Sequence, residues 1–82
     1  MTDTLVVNVF IPSVNRQYDV RIPLDARIDE VAQLMAEAVS NLTRGEYASK
    51  QPTLCDKRGA LLNPSYTPRT CNLHIGSQLI LV

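Results

Sequence analysis

The sequence predicts an α+β fold of order ββαββ, in which a mixed sheet of four to five strands packs on one α-helix. Three observations predict it: two runs of alternating apolar residues near the start, a helical-period apolar stripe in the middle, and an apolar run that closes the chain. A single amphipathic helix can bury its stripe only against one face of such a sheet, so the other face is left to solvent or to a partner.

The first strand runs from Thr4 to Ile11. Leu5, Val7, Val9 and Ile11 alternate with Val6, Asn8 and Phe10, and both sets are largely apolar, as suits a strand central to its sheet. Pro12-Ser13-Val14-Asn15 is turn chemistry. Gln17-Tyr18-Asp19-Val20-Arg21-Ile22 then alternates polar and apolar, with Tyr18, Val20 and Ile22 on one side and Pro23 ending the strand; the two strands form a hairpin. From about 26 to 42 the period changes. Ile28, Val31, Ala32, Met35, Ala38, Val39 and Leu42 form one stripe of an α-helix. Asp25 is the capping candidate, Asp29 and Glu30 put negative charge in the first turn, and Gly45 ends the pattern.

A polar loop follows. Thr53-Leu54-Cys55-Asp56 reads as a short strand, Lys57-Arg58-Gly59 as a turn, and Ala60-Leu61-Leu62 as a shorter return strand. Thr67-Pro68 resembles an N-cap followed by proline at the first helical position, which predicts one turn of helix over Pro68–Cys71. Gly76 turns the chain into a last strand, Gln78 to Val82. The expected core beneath the helix is Val31, Met35, Leu54, Leu61, Leu79 and Leu81.

Eighty-two residues are expected to make one domain, residues 1–82. Eight basic and eight acidic residues cancel and are scattered, which leaves no electrostatic footprint for nucleic acid or an anionic membrane. The N-terminus, Met1-Thr2-Asp3-Thr4, has no positively charged leader region, and no apolar run approaches the roughly 20 residues of a transmembrane helix. A soluble, cytoplasmic protein is therefore expected. Cys55 and Cys71 are too few for a disulfide scaffold; they read as reduced thiols, with a single bridge left open.

The closing segment Cys71-Asn72-Leu73-His74-Ile75-Gly76-Ser77-Gln78-Leu79-Ile80-Leu81-Val82 resembles that of ubiquitin in spacing and apolar rhythm. With the Tyr18-Asp19-Val20-Arg21-Ile22-Pro23 strand, the apolar helix, and the Gly59…Leu62…Ile75-Gly76-Ser77 pattern, the chain is similar to the YukD/EsaB-like proteins, small ubiquitin-like members of bacterial type VII secretion systems. The resemblance implies a ubiquitin-like β-grasp fold. It also implies an accessory or regulatory component of the secretion apparatus, acting through protein contacts and peripheral to a membrane complex. The same fold occurs as a cytosolic domain of a membrane component of related systems.

Sulfur carriers and conjugated modifiers of this fold need a flexible tail ending in Gly-Gly, whereas this sequence closes on Leu81-Val82 inside the last predicted strand; conjugation is not expected. A [2Fe–2S] cluster needs four cysteines. Cys71-x-x-His74 with Cys55 has zinc-like spacing but lacks a fourth ligand, so no metal and no cofactor are expected. His74 has no nucleophile in recognisable context, and Asp29-Glu30 better serve the helix dipole than a catalytic acid pair. No catalytic residue is assigned.

Pleat alternation puts Val6, Phe10, Cys55, Ile80 and Val82 on the sheet face away from the helix. An apolar cluster there would mark a protein-interaction site, although β propensity alone would also favour Val6 and Ile80 on neighbouring strands. The expected partners are proteins: secretion-apparatus components, or a second copy of the chain.

Overall fold

A computed structural model describes residues 3–48 and 50–82; Met1 and Thr2, read above for a leader, lie outside the described residues. The elements are β1 (Thr4–Ile11), β2 (Arg16–Pro23), α1 (Ile28–Leu42), β3 (Leu54–Asp56) and β4 (Gln78–Leu81). They build a mixed four-stranded sheet of order β2-β1-β4-β3. β1 is antiparallel to β2 and parallel to β4, and β3 is antiparallel to β4. The fold is the ubiquitin-like β-grasp, with one helix across one face of the sheet.

β1 sits between two neighbours, and its inner row, Leu5, Val7, Val9 and Ile11, is buried. The hairpin closes through hydrogen bonds from Val14 N–H to Ile11 O and from Asn15 N–H to Pro12 O. Asn15 adopts φ 53°, a left-handed conformation that asparagine tolerates better than most residues. Pro23 is the last residue of β2, as expected.

The helix starts at Ile28, later than expected, and Asp25 does not cap it. The preceding residue, Arg27, is extended and makes no side-chain capping bond. Instead the first helical amides are taken by carbonyls of the loop before the final turn, Ile28 N–H to Tyr66 O at 2.7 Å and Asp29 N–H to Pro64 O at 3.2 Å. These are donors that a helix cannot satisfy internally. At the other end, Gly45 N–H reaches Ser40 O and Arg44 N–H reaches Asn41 O, a Schellman closure. The Thr43 hydroxyl donates to Val39 O and accepts from Tyr47 N–H, which brings Tyr47 into the core from a stretch that reads as polar loop.

Ile28, Val31, Ala32, Met35 and Val39 form the buried stripe. Ala38 and Leu42 do not belong to it: Ala38 is exposed and Leu42 is 60% exposed. With Leu34 they recur at i, i+4 and i+8, a second apolar line along the flank of the core stripe.

The predicted return strand 60–62 is a single bridge, Cys55↔Leu61. Asp56 explains it, because its carboxylate accepts both Arg58 N–H and Ala60 N–H and draws the chain into a tight turn around Gly59 at φ 87°. The bridge sets Leu61 on the side of Cys55, away from Leu54. Leu61 is consequently 71% exposed rather than core, and Leu62, which donates to Leu54 O, packs against the core instead. The other expected core residues, Val31, Met35, Leu54, Leu79 and Leu81, are all buried.

Thr67–Asn72 is one capped turn rather than a helix. Thr67 and Thr70 exchange side-chain-to-amide bonds (Thr70 N–H to Thr67 Oγ1, Thr67 N–H to Thr70 Oγ1), a reciprocal cap. Cys71 N–H bonds Thr67 O, and Leu73 N–H returns to Pro68 O with Asn72 left-handed between them. Val82 extends the ladder beyond β4 by exchanging both backbone hydrogen bonds with Thr53, each 3.0 Å.

Candidate protein-interaction surface

The sheet face opposite α1 is built from rows that the strand register fixes. One row crosses all four strands: Gln17 on β2, Phe10 on β1, Ile80 on β4, Cys55 on β3, and then Leu61 through its bridge. The next row is polar: Asp19, Asn8 and Gln78, with Asn8 Nδ2 donating to Asp19 Oδ1 at 3.3 Å. The face is therefore apolar at one end and polar in the middle.

Of the five residues expected here, three make a cluster. Phe10 and Ile80 are directly paired and half-buried, and Val82, two residues on from Ile80 along the same side, is 52% exposed. Cys55 lies in the row but is only 6% exposed, flanked by Ile80 and Leu61; it supports the surface from below and is not available to a partner. Val6 stands apart, four residues back along β1, roughly 13 Å at 3.3 Å per residue. Asn8 lies between, and Val6 O accepts from Gly76 N–H in the turn that carries the exposed Ile75. Four positions along one strand already set Val6 and Phe10 at opposite ends of the face.

Sequence reading missed two contributors. Leu61 adds apolar surface at the sheet edge, for the reason given by the Asp56 turn. A depression of about 190 Å³ beside Phe10 and Ile80 is lined by Asn8, Gln17, Lys57 and Gln78 as well, which places a cation at the rim of the apolar cluster. A groove of about 440 Å³ runs between the start of α1 and the β3 edge, lined by Ile28, Ala32, Pro52, Leu61, Leu62 and Pro64 among others.

The charged groups that are tied together lie elsewhere. Arg69 Nε donates to Asp25 Oδ1 at 2.8 Å and its Nη2 donates to Asp3 Oδ2 at 3.1 Å, so one guanidinium staples the start of β1, the β2–α1 loop and the capped turn. Hydrogen bonding to Arg69 holds the Asp25 carboxyl below its ordinary value, and the two carboxylates push Arg69 up. Both cysteines are free thiols, and burial pushes Cys71 up. Among the described residues no group of three or more His, Cys, Asp or Glu side chains converges on a metal-sized site, and no helix is long and apolar enough to cross a membrane.

No protein-family model and no curated protein matches the chain. Solved structures do. The EccD5 ubiquitin-like domain from Mycobacterium xenopi superposes with a TM-score of 0.86 at 20% identity, over 98% of this chain and 93% of that one. A chain of the MycP5-free ESX-5 inner membrane complex gives 0.83 at 19% identity, over 96% of this chain but 20% of that one. A chain of the toluene 4-monooxygenase HD complex with the inhibitor 4-bromobenzoate gives 0.82 at 17% identity, over 98% of both. At these identities the likeness establishes the fold alone: the chain has a ubiquitin-like β-grasp fold. Its structural neighbours include ubiquitin-like domains of type VII secretion components.

Proposed function

We propose that the chain is a non-enzymatic ubiquitin-like protein-interaction module of a type VII secretion system. It acts on the cytoplasmic side and docks on a component of the membrane secretion complex through the open sheet face at Phe10, Ile80 and Val82. The observation that carries this reading is the near-complete superposition on a ubiquitin-like domain of a secretion component, with a TM-score of 0.86. The same fold forming one fifth of a chain in an inner membrane secretion complex supports it. The sequence resemblance to free-standing ubiquitin-like secretion proteins points the same way. Whether the chain acts as a free accessory protein or as a domain of a larger membrane component, the proposed contact is this same face.

Phe10, Ile80 and Val82 suit an interface centre because they are adjacent, apolar and turned from the helix, with polar Gln17, Gln78 and Lys57 around them. The test is co-purification from cells that carry such a system. The tagged wild-type protein should bring down secretion-complex subunits, and Ile80→Glu and Val82→Glu should lose them while melting as cooperatively as wild type, since an interface centre tolerates an unpaired charge poorly. Folded variants that retain the complex would move the contact off this face. A covalent adduct through the C-terminal carboxylate, seen by mass spectrometry, would replace the reading with that of a modifier or sulfur carrier.

A further inference from the structure

The sheet has one long free edge, β2, and its backbone phase is fixed by bonds elsewhere. In β1 the even-numbered residues turn their peptide groups toward β4: Asn8 N–H donates to Ser77 O, and Val6 O accepts from Gly76 N–H. The odd-numbered residues therefore bond β2, and Leu24 N–H to Asp3 O continues that phase beyond the strand. With the register Val7↔Val20 and Val9↔Tyr18, Arg16, Tyr18, Val20 and Ile22 face β1. Gln17, Asp19 and Arg21 consequently present N–H and C=O outward, and among the described residues no backbone partner reaches them.

Such an edge is a template for another strand unless something blocks it. Pro23, in the same outward phase, has no N–H to give and ends the open stretch there; over Gln17 to Arg21 the charged side chains select a partner. Asp19 and Arg21 are exposed, share the open face, and carry opposite charges two residues apart. When the edge meets a second copy of itself antiparallel about a twofold axis, the outward peptide groups permit only registers that pair odd residues with odd residues. The register centred on Val20 sets Asp19 opposite the second copy's Arg21 and Arg21 opposite its Asp19. A slip of one residue in the centre to either side sets aspartate on aspartate or arginine on arginine. On the helix side the same register faces Val20 with Val20 and Tyr18 with Ile22, apolar pairs of the kind that stabilise strand pairing.

A second observation lies on the same flank. Leu34, Ala38 and Leu42 run along one flank of α1, and at its end Leu42 shares a small depression with Arg16 and Tyr18 of β2. Leu34 and Leu42 are both more than half exposed. In the twofold arrangement both helices lie on one side of the joined sheet, with Leu42 beside the seam.

We propose that β2 is a homodimer edge: two copies join antiparallel in the Val20-centred register to make one eight-stranded sheet, held by reciprocal Asp19–Arg21 pairs. The partner is a second copy of this chain, and the open face of each copy stays uncovered. The proposal does not depend on the secretion reading.

The experiment is sedimentation velocity of the full chain from micromolar to millimolar concentration, with three variants. Wild type should move from monomer to dimer. Asp19→Arg and Arg21→Asp each place like charges opposite one another twice, and should weaken the dimer roughly tenfold or more. The double variant Asp19→Arg/Arg21→Asp restores opposite charges and should recover it. Amide exchange should show Asp19 and Arg21 N–H slowing with concentration in wild type and in the double variant. A wild type that stays monomeric, single variants that dimerise like wild type, or folded single variants that the double change does not rescue would each overturn the proposal.

Discussion

Leu79 and Leu61 are the same residue type with opposite surroundings, one in the core and one standing in solvent across from Cys55. Leu79→Ala should cost about 2–5 kcal/mol, the range for truncating a buried leucine without collapse of the cavity. In a fold with so few buried side chains that is a large part of a total stability of about 5–15 kcal/mol. Leu61→Ala should move stability by no more than about 0.5 kcal/mol, because it removes little packing. Urea midpoints of the two variants check both statements, and a large loss at Leu61 would put it back in the core. The charged residues give a different prediction. The folded Asp25 carboxyl lies below its ordinary value near 3.8, so its contribution is fully present above that pH. It is lost as the pH falls through the lower folded value. Arg69→Gln should raise the Asp25 titration midpoint, followed by NMR, toward the ordinary value. It should change stability at neutral pH little, since the pair is exposed.

Elements were legible in the sequence where periodicity alone defines them, and less so where a turn decides. β1 occupies the residues its alternation predicts because both its faces and both its neighbours ask for apolar, β-branched side chains. Five of the seven stripe residues of α1 are buried, because the apolar period is 3.6 over its whole length; Ala38 and Leu42 follow that period yet fall on the flank, where the helix has turned from the sheet. The return strand failed for a local reason: two amides captured by one aspartate shorten the turn and leave a bridge. Asp25 reads as a cap because its partner, Arg69, is far away in sequence and no pattern links them. Tyr47 hides in a polar stretch because its place depends on the Thr43 hydroxyl. In the candidate surface, alternation places Phe10, Ile80 and Val82 on the face opposite α1, where the structure has them. It could not tell that Cys55, on that same face, would be covered by its neighbours. The Thr67–Asn72 turn is where cap and proline chemistry read correctly without enough residues for a helix. Thr67→Ala removes its reciprocal bond with Thr70 and should cost about 1 kcal/mol, as loss of an N-cap does. Thr67→Ser, which keeps the hydroxyl, should restore most of it; equal thermal melting of wild type and Thr67→Ala would mean that the cap is idle.

At the scale of the whole molecule, the helix divides the sheet into a face that is used up by the core and a face that is not. The hairpin, the parallel β1–β4 pair and the short β3 are all held from the covered side, so charge placed at Val82 should be felt by a partner and hardly by the fold. Each surface has its own readout: co-purification for the open face, sedimentation for the β2 edge. A protein altered at Val82 should still sediment as wild type, and one altered at Asp19 should still keep Phe10, Ile80 and Val82 in place.

The parallel pairing of β1 with β4 joins residues seventy positions apart, Asn8 with Gln78 and Phe10 with Ile80. Closing so long a loop must precede any reward from the contacts it makes, which places the fold among the slower small proteins, in milliseconds to seconds. A ribosome emitting about 5–20 residues per second spends roughly 4–14 s between the first of these strands and the last. For that interval Val7, Val9 and Ile11 lack the neighbour that completes their cover, and the growing chain carries an unfinished sheet past whatever chaperones wait at the tunnel exit.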